Sequence, residues 1–209
     1  MEHIIGDVGN GYYSAAYEVY AMMLIISCYS LPLAVSKVVS AKIGKRQYRN
    51  ANRAFQCAMA FAVAAGGLTF LIVEVFGDVL ATNFMLEPMS AMALKVLGPA
   101  LLIVSIMGVF RGYFQAHRTM IPTSLSQIVE QVANAVISIG AAVFFIHAFA
   151  GGDADKIPVF GAMGSAAGIG AGVITGLLFM LFIYSCNKKY FKKEIQKDDT
   201  GVDSSYKDI

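Results

Sequence analysis

The stretch FRGYFQAHRTMIPTSLSQIVEQ, Phe110–Gln131, decides how this chain folds. It lies between two long apolar runs, carries Arg111 near its start and Glu130 near its end, and turns through a basic segment at His117 and Arg118. Pro122 suits the first turn of a helix, where its missing N–H would have no intrahelical acceptor anyway. The stretch therefore reads as a hairpin, one helix ending near Ala116 and the next beginning near Thr123. The flanking runs each approach the roughly 20 apolar residues that cross a bilayer. Within hydrocarbon each charge costs about 3 kcal/mol near the centre, so their presence needs a reason.

Outward from the hairpin the pattern repeats. The chain is 57% hydrophobic and 14% charged, against roughly 25% charged in an ordinary soluble domain. Five apolar windows stand out: residues 17–40, which contain Pro32; 54–76, with Gly66-Gly67 at the middle; 92–116, interrupted by Pro99; 123–149; and 159–186. The expected fold is an all-α integral membrane protein of about five transmembrane helices. Residues 1–187 form the membrane domain, and 188–209 form a basic, then polar tail expected to be cytoplasmic and disordered.

Loop charges set the expected orientation. KIGKRQYRNANR, AHRTMIPT and NKKYFKKEIQK fall on one side and are rich in Lys and Arg. EVFGDVLATNFMLEPMS and AGGDADKIP fall on the other and carry Lys156 as their one cation. The positive-inside rule makes the first set cytoplasmic, with the C-terminus inside and the N-terminus outside. An external N-terminus with no helix to carry it across is most simply explained by a preceding helix missing from this sequence.

Enzyme chemistry finds little support. There is no P-loop, and Asp153-Ala-Asp155 sits in a short loop without a surrounding domain. His3, His117 and His147 are scattered, and Cys28, Cys57 and Cys186 show no metal-ligand spacing. The chain is expected to be no enzyme, with no metal, no cofactor and no nucleic-acid partner.

The helical rise of about 1.5 Å per residue places Arg111 roughly 9 Å into its span, counted from His117, and Glu130 roughly 10 Å into the next, counted from Thr123. The two are expected to face each other or a wet cavity. Gln127, Glu130, Gln131, Asn134 and Ser138 share one helical face, Gln115 lies one turn from Arg111, and Lys37 follows Pro32 in the first window. Such a stripe reads either as the wall of a hydrated cavity or as interhelical glue; Lys37 reads either as a second cation of that cavity or as a snorkelling surface lysine. In the last window Gly161, Gly164, Gly168, Gly172 and Gly176 recur at three- and four-residue spacing, which lets helix backbones approach closely.

FRGYFQAHRTMIPTSLSQIVEQ resembles a motif of the multidrug/oligosaccharidyl-lipid/polysaccharide exporter superfamily, in its polysaccharide-biosynthesis branch of stage V sporulation protein B-like and lipid II flippase-like proteins. Residues 9–55, GNGYYSAAYEVYAMMLIISCYSLPLAVSKVVSAKIGKRQYRNANRAF, resemble the family's second helix and basic loop. The resemblance implies helices two to six of the first six-helix lobe of a two-lobed flippase. It implies transport of a polyprenyl diphosphate-linked saccharide, lipid II or a polysaccharide repeat unit, across the plasma membrane by alternating access. Arg111 and Lys37 would then meet the diphosphate, and the span-four amides of Gln127, Gln131 and Asn134 the sugar or peptide groups. A second-lobe polypeptide would be needed as partner. The alternatives are a multidrug/cation antiporter of the same superfamily, favouring an acidic or aromatic pocket, and a truncated membrane fragment that transports nothing.

Overall fold

The computed structural model describes residues 2–27, 30–151, 153 and 156–198. Six helices follow in order: α1 (Glu2–Ser27), α2 (Leu31–Gly44), α3 (Tyr48–Asn83), α4 (Ala91–Ala116), α5 (Ile121–Phe145) and α6 (Ile157–Gln196). A 3₁₀ turn, Pro88–Ser90, leads into α4, and a π turn, Ile146–Ala150, extends α5. There is no strand among the described residues. The protein is an all-α integral membrane protein. Its helical segments Tyr48–Asn83, Pro88–Ala116, Ile121–Ala150 and Ile157–Gln196 are each long and apolar enough to cross a membrane.

The first expected span, residues 17–40, is divided instead of continuous: α1 ends at Ser27 and α2 starts at Leu31. Pro32, the second residue of α2, supplies the reason. It has no N–H to donate into a preceding turn, and it fits instead in the first turn of a new helix, where that N–H would have no acceptor.

The core gathers around α4. Leu94, Leu97, Leu101 and Met107 are wholly buried, and 61% of the helix's apolar window is enclosed, against 11% for α5. Close approach on both sides of α4 depends on glycine. A Cβ on Gly112 would stand 2.5 Å from the Pro32 carbonyl oxygen, and one on Gly66 of α3 would stand 2.5 Å from Ser105 Oγ. The outward faces of α3 and α5, with Phe61, Leu68, Val132 and Val136 exposed, are what a bilayer would cover.

Residues 188–198, expected to open a disordered tail, are ordered: α6 continues to Gln196. Phe191 is buried among the rings of Tyr113, Phe114 and Tyr184. Beyond it Asp198 Oδ2 accepts the Arg49 backbone N–H at 2.8 Å. Gln47, which precedes α3, makes no side-chain cap, so a carboxylate from the far end of the chain serves the orphan amide instead. Burial of one aromatic ring and one helix cap outweighs the polar composition here. Cys28, Asp155 and residues 199–209 lie outside the described residues.

Candidate functional site

The hairpin of α4 and α5 does not close on itself. Below its turn α5 leans away from α4 and packs along α6, because α6 offers a groove of glycines. A Cβ on Gly164 would come within 2.6 Å of the Ala141 carbonyl oxygen, and one on Gly172 within 2.9 Å of Asn134 Cβ. Gly168 faces Ser138, Gly176 faces Glu130 and Met107, and Gly161 is buried on the same helix. Where α5 leans away, a cleft opens between it and α4.

Arg111 bridges that cleft. Its Nη2 donates to Glu130 Oε2 at 2.7 Å, and its Nε donates to Ser126 Oγ at 3.1 Å. Ser126 is fully buried and passes its own hydrogen to the Thr123 carbonyl at 2.7 Å. The arginine and glutamate side chains keep 13% and 17% of their surface exposed, so the pair is reachable from the cleft.

The cleft is a cavity of about 500 Å³ bounded by α1, α4, α5, α6 and Pro32 of α2. Arg111, Gln115, Gln127, Glu130, Gln131 and Asn134 all line it. Ser138, the last member of the α5 stripe, turns instead into the α5–α6 seam, its one hydroxyl hydrogen shared between Asn134 Oδ1 at 2.8 Å and the Ser165 carbonyl at 3.2 Å. Lys37 is an exposed residue of α2 outside the cavity wall. The sequence reading missed the opposite wall, where α1 contributes Tyr13, Tyr17 and Tyr20. Their rings follow one another at 6.1 and 6.0 Å between centroids. Their i, i+4, i+7 spacing was the available signal. It also missed Thr123, whose buried Oγ1 has no hydrogen-bond partner among the described residues.

Chemically this is a mixed site. One side offers a cation, a carboxylate and four amides; the other offers a ladder of phenol rings. Amides and rings together suit a hydroxyl-rich ligand, and the guanidinium suits an oxyanion, which it can bind with two parallel N–H bonds.

Residues 1–200 match the family described as Polysaccharide biosynthesis protein. The chain belongs to that family. Among curated proteins, the chain is 29% identical over 194 residues to the lipid II flippase MurJ of Bacillus subtilis (strain 168), covering 89% of this chain and 35% of the relative. Stage V sporulation protein B of the same organism is 22% identical over 202 residues, covering 94% of this chain and 37% of the relative. An uncharacterized membrane protein, YabM, also from that organism, is 25% identical over 199 residues, 95% of this chain and 35% of its own length. The chain thus spans a little over a third of these relatives. No solved structure matches it significantly. The match covers the hairpin, the cavity and the basic loop, and supports the polysaccharide-biosynthesis branch of the exporter superfamily.

Proposed function

We propose that this chain is part of a flippase that carries a polyprenyl diphosphate-linked saccharide, lipid II or a polysaccharide repeat unit, across the plasma membrane by alternating access. The observation that carries the reading is the placement of Arg111 in the wall of a 500 Å³ cavity beside Gln115, Gln127, Gln131 and Asn134. The cation would hold a phosphate as it sheds water, and the amides would take saccharide hydroxyls. A volume of this order takes the diphosphate and the sugar nearest it, and the polyprenyl chain stays in lipid. The basic loops would face the cytoplasm. Since these residues match a little over a third of the relatives, transport would need the remainder of the path. Binding and transport then require no enzyme chemistry from the chain.

Complementation tests this. Cells depleted of their lipid II flippase would receive the chain with and without a candidate second-lobe polypeptide. Rescue only with the partner supports the reading, and absence of rescue despite membrane insertion counts against it. A second reading, an antiporter for organic cations, draws on Glu130 and the tyrosine ladder, since aromatic faces and a carboxylate hold cations. Under that reading Glu130→Gln would abolish transport of a cationic dye; under the first, Arg111→Gln would abolish rescue.

A further inference from the structure

Resting on the anion-binding reading above, we propose that Glu130 is the resident anion of the Arg111 site, holding the guanidinium until a phosphate of the incoming ligand displaces it. Four observations support exchange over a fixed structural pair. Arg111 is already oriented by Ser126, whose hydroxyl is anchored on the Thr123 carbonyl, so Glu130 is not needed to aim it. The carboxylate makes a single bond, Oε2 to Nη2; Nη1 and Oε1 take no hydrogen bond among the described residues, although a guanidinium and a carboxylate can pair through two. Both side chains line the cavity and are partly exposed to it. In the same wall the Thr123 hydroxyl, on a residue only 8% exposed, has no partner among the described residues, and it can donate to a further oxyanion.

A phosphate outbids a carboxylate here on ordinary chemistry. It brings more charge, and enough oxygens to occupy two guanidinium N–H groups and the Thr123 hydroxyl together. When it leaves, Glu130 returns, and the part-buried arginine is not left without a counter-charge. A Cβ on Gly176 would crowd this glutamate, 3.3 Å from its Cβ and 3.5 Å from Oε2, so the glycine keeps that side of the carboxylate unfilled. The pair thus sets a threshold: diphosphates pass it, and neutral lipids do not.

The test is equilibrium binding to the full chain in nanodiscs of zwitterionic lipid. The probes are inorganic pyrophosphate and farnesyl diphosphate, with farnesol as the control lacking phosphate. Glu130→Gln and Glu130→Met both remove the competing charge at similar size. Each is expected to tighten diphosphate binding on the order of tenfold, from the worth of one charge-assisted hydrogen bond, while farnesol is unaffected and Arg111→Gln loses binding. Diphosphate binding that appears only in the neutral variants also supports the proposal. Unchanged or weaker binding in both folded variants, with Arg111→Gln still deleterious, overturns this proposal alone. No diphosphate binding by any form overturns it together with the anion reading. Failure of both neutral variants to fold overturns it as well, because the pair would then be structural.

Discussion

Replacing Gly164 by alanine should pry α5 from α6, while the same change at Gly170, six residues along the same helix, should not. A Cβ on Gly164 would lie 2.6 Å from the Ala141 carbonyl oxygen, 2.7 Å from Ala142 Cα and 2.8 Å from the Ala141 carbonyl carbon. All three are backbone atoms, so no rotamer change relieves the clash. Restoring an ordinary contact of about 3.4 Å requires the helices to part by about 0.8 Å, and a gap of that size forfeits a quarter to a half of each dispersion contact along the seam. Overpacking of this kind costs about 1–3 kcal/mol, partly offset by up to about 1 kcal/mol of improved helix propensity. At Gly170 a Cβ meets nothing within 4 Å, and only the propensity gain remains. The two variants should therefore shift stability in opposite directions, separated by about 2 kcal/mol. Unfolding in mixed micelles with rising SDS fraction, followed by far-UV circular dichroism, reads the difference. Equal stability of the two variants would refute the close α5–α6 packing and with it the lean that opens the cavity.

Asp198→Ala should uncap α3, costing about 1 kcal/mol and speeding hydrogen exchange at the Arg49 amide; unchanged exchange there would remove the cap. In a chain whose native cysteines have been replaced, Gln127→Cys and Gln131→Cys should react with a membrane-impermeant maleimide far faster than Ile128→Cys or Val132→Cys, and equal rates would argue against a wet cavity face. Asp78→Asn should cost less than about 1 kcal/mol, because its 2.7 Å bond to Lys95 lies at an exposed site; a larger loss in the same SDS titration would show that the pair is better shielded than its exposure indicates.

Much of the site was legible because membrane sequences punish misplaced charge. Arg111 and Glu130 at matching depths on adjacent spans have few places to go except toward each other, and the α5 stripe follows from helical period alone. Lys37 was ambiguous because its distance from the membrane surface does not fix which face it occupies; the rotation of α2, set by packing of Pro32 and Val35 against Gly112, turns it outward. The tyrosine wall was visible as a period but not as a partner, since nothing local says that α1 packs across from α5. The break near Pro32 carried a sequence signal that window averaging smoothed over. The docking of Asp198 on Arg49 carried almost none, because it joins residues 149 positions apart, and Phe191 likewise meets Tyr113 and Phe114 from far along the chain.

The most direct measurement replaces the matching segment of the Bacillus subtilis lipid II flippase with residues 1–200 of this chain and asks whether the chimaera supports growth when the native flippase is depleted. The account predicts growth with the chain as it stands and none with Arg111→Gln, both proteins being present in the membrane at equal amounts. Growth that is indifferent to Arg111→Gln would contradict it, leaving the Arg111–Glu130 pair as a structural tie between two helices.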